Sequence, residues 1–291
     1  MTAGAAEAFA AIEAGWRPGP VETTGSVDAA PGLALSGLFD VEPAVRDEGD
    51  PLPPLWHWLH LLDRPAQAGL GEDGHPTDGL FLPPLPRRRR MFGGGRVAFH
   101  APILVGDRVT RRSEVVSVRL REGGSGLLLL VTVRHTWTVD GQPRTVEEQD
   151  IVYKQPDGRP AARTAGPSED GHPREPWEFT LRPDETLLFR FSALTYNAHR
   201  IHYDRAYARD TEGYPDLVVH GPLLALALLE LPRRYAPDRR VTSFAFRSRA
   251  PLFAPEPFTV AGTPAADGAS AALSARTAGA APAVTATVTF A

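Results

Sequence analysis

The sequence of 291 residues contains no cysteine. That excludes disulfides, thiolate metal sites, Fe–S clusters and a cysteine nucleophile. Lysine is nearly missing as well: Lys154 is the single one, and the other thirty basic residues are arginine. Schiff-base chemistry and a phosphate-binding P-loop lysine are therefore poorly supplied. No basic excess exists either, since the formal net charge is −4 and the pI about 6.1. A dedicated nucleic-acid binder would be strongly basic, so nucleic acid is not an expected partner. Long hydrophobic runs are also lacking. The longest, Leu217 to Leu229, is interrupted by His220, Gly221 and Pro222 and falls short of the ~20 apolar residues that cross a bilayer. The first twenty residues carry Glu7 and Glu13 and no basic stretch, unlike a secretory peptide. A soluble, cytoplasmic protein without a membrane partner is the expectation.

What is present is enough apolar material for a core, 42% of residues, and a length that suits two domains or one large one. Residues 154–177, rich in proline, glycine and charge, read as a linker. On either side lie strand patterns. Val131, Val133, His135, Trp137 and Val139 alternate with polar neighbours, and so do Val284, Ala286, Val288 and Phe290, the period-2 signature of half-buried strands. A weak repeat supports duplication: APILVGD from Ala101 matches APLFAPE from Ala250 at an offset of 149. Upstream of each copy lies an apolar segment that opens with proline, Pro53 to Leu62 and Gly221 to Leu231, where the missing N–H of a first-turn proline costs nothing. The second is apolar nearly all round and suits a helix enclosed by a curved sheet. The predicted fold is α+β, a double hotdog: two curved antiparallel sheets, each wrapping one apolar helix. Residues 1–153 form the first hotdog, 154–177 the linker and 178–291 the second.

The first half is longer between helix and repeat motif, and the extra length is a proline- and glycine-rich loop holding Arg87, Arg88, Arg89 and Arg90. Loops of that length in compact domains are often functional. The four arginines either hold phosphates through bidentate contacts or form a solvated charged surface.

Chemistry concentrates in residues 191–222, which carry His199, His202 and His220. Three readings compete. His199, His202, Asp204 and His220 offer zinc ligands, although an i, i+3 histidine pair is not the usual helical spacing. Alternatively, these rings pack at a helix start and satisfy buried polar groups. In the third reading one imidazole is a general acid/base, because its ordinary pKa lies near working pH.

YNAHRIHYD followed by VVHGPLLALALL resembles the active-site segment of the MaoC-like (R)-specific enoyl-thioester hydratases. Those enzymes carry an aspartate, a histidine five positions later, and a His–Gly pair that opens the hotdog helix. Carried over residue by residue, the catalytic histidine falls on His202 and the oxyanion-hole glycine on Gly221. The aspartate position is Asn197, and Arg200 stands where the family has proline. With PLPPLWHW, RRMFGGGR and EEQDIVYKQ in the first half, the chain resembles one branch more closely. That branch holds the type 2 3-hydroxyacyl-thioester dehydratases and the mesaconyl-C4-CoA/itaconyl-CoA hydratases.

The resemblance implies a hydro-lyase that hydrates a trans-2-enoyl thioester or dehydrates a 3-hydroxyacyl thioester, on CoA or an acyl-carrier protein. It implies no metal and no cofactor, with the catalytic residues in the second half. One chain would supply both partners of a pseudo-dimer, as a monomer or a homodimer of such chains. His202 then transfers the proton, and the Gly221 N–H meets the charge developing on the thioester oxygen. Asn197, unable to take a proton, positions the water. His220, Arg89, Arg90 and Arg200 are candidate substrate contacts; Arg200 pairs either with a substrate carboxylate or with a surface acid. Asp204 orients an imidazole or caps the next turn. Rival readings are a carrier-protein dehydratase of fatty acid or polyketide synthesis, a non-catalytic acyl-thioester binding module, and a hotdog thioesterase.

Overall fold

The structure is a computed structural model that describes residues 3–79, 81–85, 89–123, 126–154 and 174–291. Its first half runs α1 (Ala3–Gly15), β1 (Val21–Ser26), α2 (Ala29–Leu38), a 3-10 turn (Trp56–Leu59), then β2 (Arg89–Phe99), β3 (Arg108–Gly123), β4 (Gly126–Val139) and β5 (Gln142–Lys154). Its second half runs β6 (Trp177–Leu181), α3 (Glu185–Thr195), α4 (Gly221–Tyr235), β7 (Val241–Ser248), β8 (Phe258–Pro264), β9 (Ser270–Thr277) and β10 (Val284–Phe290). The alternating segments named above lie in β4 and β10, where the valines and Trp137 are buried and the threonines, apart from buried Thr132, are more exposed.

All ten strands join one antiparallel sheet in the order β1-β3-β4-β5-β2-β7-β10-β9-β8-β6. The two expected sheets are joined edge to edge, sealed at the middle by β2 against β7. This fusion satisfies the edge strand of each half with the other half's backbone. The order reads the same from either end when each strand is exchanged for its counterpart, and the duplication is visible bond by bond. Leu52 N donates to Ile103 O at 2.8 Å, and Val219 N donates to Leu252 O at 2.8 Å. Val105 N donates to Asp50 O, and Ala254 N donates to Leu217 O, both at 2.9 Å. Isolated bridges join Pro51 to Leu104 and Val218 to Phe253. At the seam, Arg96 faces Ala245, the same offset of 149 as the repeat motif, so the pseudo-twofold axis passes through this pair. Even a bulge recurs: the ladder skips Gly93 in β2 and Thr242 in β7.

The halves differ in their central helices. In the second, Leu223 to Pro232 of α4 are all buried, as an enclosed helix requires. In the first, the helix expected over Pro53–Leu62 is only the turn Trp56–Leu59. Leu55 (φ +69°) and Leu61 (φ +51°) flank it in the left-handed region and stop propagation at both ends. Residues 155–173 of the expected linker lie outside the described residues; on its flanks Lys154 still pairs in β5 and Trp177 opens β6. Most buried apolar side chains form one core that crosses the seam, from Leu35 and Trp137 to Phe244 and Val288. A smaller cluster lies under α1, where Phe9 and Ile12 meet Leu129, Val131 and Tyr153.

Candidate active site

The histidine segment is held by α3 on one side and α4 on the other. Asp184 caps α3, its side chain accepting from Leu187 N at 2.7 Å, a contact worth about 1 kcal/mol. The helix stops at Tyr196, whose φ of +52° reverses the chain. Asn197 Oδ1 then accepts the His199 N–H at 3.0 Å and fixes the start of a short 3-10 turn, Arg200–His202. One lone pair of the Asn197 carbonyl is therefore committed to the turn, while its amide N–H groups can hold a water.

His202 is 7% exposed. Its Nδ1–H donates to the Val218 carbonyl at 2.7 Å. A carbonyl can only accept, so the bond sets the tautomer and leaves Nε2 as the lone pair that can take a proton. His220 stacks against this ring with centroids 3.7 Å apart; it is fully buried, and its Nε2 is 2.9 Å from Ser192 Oγ. Of the substrate contacts expected above, His220 is thus displaced: it backs His202 from inside the core. The next residue, Gly221, opens α4. As a first-turn residue its N–H has no partner within the helix, and it lies at the positive end of the helix dipole. A Cβ there would stand 3.0 Å from the Phe92 ring, so glycine lets β2 of the first half close over the helix start.

Two arginines are also corrected. Arg200 donates from Nε and Nη2 to Asp204 Oδ2 at 3.0 and 2.7 Å and from Nη1 to Glu72 O at 3.0 Å, and its guanidinium lies over the Tyr207 ring. It holds the segment together and is not free for a substrate carboxylate. Asp204 also caps the next turn, accepting from Tyr207 N. Arg89 is paired with Glu212, Nε to Oε2 at 2.8 Å, and its Nη2 donates to the Glu212 carbonyl. Arg90 differs: it is exposed and has no ion-pair partner among the described residues, yet it lies close enough to His199 to disfavour a proton there. Arg87 and Arg88 lie outside the described residues.

The model of the family described as hydroxyacyl-thioester dehydratase type 2 matches residues 55–254, a stretch holding the first-half turn, the arginine loop, the HRIH segment and α4. A mesaconyl-C(4)-CoA hydratase of Chloroflexus aurantiacus is 44% identical over 82% of this chain and 84% of its own length. The chain belongs to the type 2 hydroxyacyl-thioester dehydratase family. Membership makes it a hydro-lyase that adds or removes water at an acyl thioester. A mitochondrial hydroxyacyl-thioester dehydratase type 2 of Schizosaccharomyces pombe is 27% identical over 72% of this chain and 77% of that protein. A solved Mycobacterium tuberculosis protein described as a double hotdog covers 96% of the chain and 97% of itself, with a TM-score of 0.56 and 14% identity; it supports the fold alone. No helix among the described residues is long and apolar enough to cross a membrane.

In this family member the first half reaches into the second half's site. Arg200 N donates to Asp73 O at 2.9 Å, and the His75 ring lies 4.0 Å from that of His199. His75 Nδ1 is 3.1 Å from Asp73 Oδ2. Sequence reading missed Asp73 and His75; the only signal was GEDGHP inside the over-long loop. Ligand atoms of Asp73, His75 and His199 lie within 4.8 Å of one another. They form the donor set closest to a cation site among the described residues, but Arg90 beside His199 opposes a cation there. The four zinc ligands considered from sequence are not assembled: Asp204 is bound to Arg200, and His202 Nδ1 to Val218.

Burial pushes the three clustered imidazoles toward the neutral form. His202 falls to about 4 despite the Val218 hydrogen bond, which works the other way. His199 and His220 also fall, chiefly by burial and then through neighbouring rings, with Arg90 adding to the effect at His199. In the unfolded chain each would bind a proton near pH 6.5. The unfolded state thus takes up more protons as the pH drops below 6.5, and stability falls by roughly 1 kcal/mol per pH unit for each such histidine. For His202 the loss runs from about 6.5 down to about 4. The melting temperature is expected to drop steeply between pH 7 and pH 5; a flat profile across that range would contradict the buried neutral cluster.

Proposed function

We propose that this chain hydrates the double bond of a 2-enoyl CoA thioester whose acyl group ends in a second carboxylate, and catalyses the reverse dehydration. His202 Nε2 takes a proton from water as the oxygen attacks Cβ. The electrons move through Cα to the thioester oxygen, where the Gly221 N–H accepts the charge by donating a hydrogen bond. The imidazolium then returns its proton to Cα. Water ends as a hydroxyl on Cβ and a hydrogen on Cα, so atoms balance without a co-reactant. A single oxyanion donor of this kind stabilises the transition state by about 2.7–4 kcal/mol. The observation that carries this reading is the Nδ1–H of His202 bonded to Val218, which aims a tautomerically fixed base beside the start of α4. Asn197 holds the turn and offers its amide to the water.

The second carboxylate rests on Arg90 and on the 44%-identical relative named for mesaconyl-C(4)-CoA. With Arg89 and Arg200 each neutralised by an acid, Arg90 is the described arginine of the loop left to meet an anion. A charge-assisted contact is worth about 1.5–3 kcal/mol, or roughly 10- to 100-fold in affinity. Arg90→Ala is therefore expected to raise KM for mesaconyl-C4-CoA by about that factor and to change crotonyl-CoA turnover little. Loss of enoyl absorbance with mesaconyl-, itaconyl-, crotonyl- and a long-chain enoyl-CoA tests the whole proposal. Preference for crotonyl- or long-chain thioesters, or equal Arg90→Ala effects on all four, counts against the dicarboxylate. Release of free CoA thiol would make the chain a thioesterase instead.

A further inference from the structure

A cavity of about 630 Å³ lies away from His202. It opens between the first half's 3-10 turn and the C-terminal end of α4, and its lining includes Pro53, Pro54, Ala101, Arg239, Arg240 and Val241. These positions are the counterparts of the catalytic site under the pseudo-twofold. The offset of 149 carries Arg90, Met91 and Phe92 onto Arg239, Arg240 and Val241, and Ala101 onto Ala250. Matching backbone bonds at Leu52 and Val219 place Pro53 and Pro54 where the second half has His220 and Gly221. The cavity is the twin of the active site.

We infer that this twin is a second, non-catalytic binding site for a CoA thioester; the inference rests on the catalytic site taking one. The chemistry has been removed: Pro54 has no N–H where Gly221 offers its own, and the first half holds no counterpart of the HRIH segment. The space has been kept. Val241 stands where Phe92 closes over Gly221, and the 3-10 turn leaves room that a full helix would fill. The volume lies within the range of small-molecule sites. Its interior is apolar, with Leu52, Trp56, Phe99 and Ile103. His57, 3% exposed, also lines it, with its Nε2 3.6 Å from the buried Glu147 carboxylate. At the mouth Arg239 and Arg240 are exposed and have no ion-pair partner among the described residues, while Arg233 is held by Glu230. Arg239 lies over the Phe290 ring, but neither rim arginine is neutralised by a described acid, and an apolar pocket with such a rim fits a short acyl chain on an anionic carrier.

Isothermal titration with butyryl-CoA, which has no double bond to hydrate, provides the test, with CoA alone and butyrate alone as controls. Two equivalents are expected per wild-type chain and one for Arg239→Glu/Arg240→Glu. The double variant should hydrate its enoyl-CoA with kcat and KM within about twofold of the parent. Ala101→Trp, which fills the cavity from its wall, should also remove one equivalent. Two equivalents in both variants, or a single equivalent insensitive to them, would overturn the second site. A chain that turns over no enoyl-CoA, yet loses an equivalent on these substitutions, would refute the catalytic reading and leave the second site standing. Tighter binding of CoA alone than of butyryl-CoA would show a nucleotide site and overturn the acyl pocket.

Discussion

His202→Ala is expected to lower kcat for hydration by about 10²- to 10⁴-fold, the usual contribution of a positioned general acid/base. Truncating a buried ring also opens a void against His220, so alanine confounds chemistry with packing. His202→Asn separates them. Its amide nitrogen can still donate toward the Val218 carbonyl in place of Nδ1–H, but it cannot take a proton. Both variants should lose activity to a similar extent, and the asparagine variant should stay closer to the parent in melting temperature. Either one hydrating a suitable enoyl-CoA at the parent rate would remove His202 from the mechanism. The pH profile gives a second reading. Burial holds His202 neutral down to about 4, so kcat/KM should be flat through neutrality and fall only as the pH approaches that value. A low pKa weakens the base, and the stacked, fully buried His220 keeps it low by withholding solvent. The gain is that nearly every molecule carries the free lone pair at neutral pH.

How far this arrangement can be read from the chain depends on the separation of the parts. The repeat motif was visible because its residues make the same backbone bonds twice: Asp107 N to Leu104 O and Glu256 N to Phe253 O, both 3.1 Å, close the same turn in each half. Helix α4 was visible because an enclosed helix must be apolar all round. Its first-half counterpart was not, since nothing in PPLWHWLHLL announces left-handed backbone at Leu55 and Leu61. Which strands join the two sheets was not legible, for the seam between β2 and β7 is a pairing of edges and leaves no pattern of its own.

Within the site, local relationships were legible and distant ones were not. Asp204 lies four residues from Arg200, and their ion pair could be suspected from spacing alone. Glu212 meets Arg89 from 123 positions away, so no count of arginines could show which were neutralised. The family resemblance pointed to His202 and Gly221, and it assigned Asn197 a role in holding water from the aspartate of that position. The structure adds the constraint that its carbonyl already serves the His199 N–H. His75 has Asp73 two positions away as a local partner, but only the folded loop brings it against His199.

That loop supplies the second large effect. Gly74→Ala is expected to cut kcat/KM by at least tenfold while lowering the melting temperature by only a few degrees. Gly74 has φ +85°, and a Cβ on it would stand 1.8 Å from Ala198 O and 2.8 Å from Ala198 C. The obstacle is backbone on the histidine segment, which cannot rotate aside as a side chain would. Relief requires the loop to withdraw, which breaks Arg200 N to Asp73 O and Arg200 Nη1 to Glu72 O and carries His75 off His199. A displacement of about 1 Å at a catalytic group costs up to roughly 10²-fold in rate. The conformational penalty alone, about 1–2 kcal/mol for alanine in the left-handed region, is common to other sites, and Gly49 measures it separately. Gly49 has φ +90°, but a Cβ there meets nothing within 4 Å. Gly49→Ala should therefore lose comparable stability and keep its activity. If the two variants turn over alike, the first-half loop is only a cover; if Gly74→Ala alone fails, the site is built by both halves of the chain.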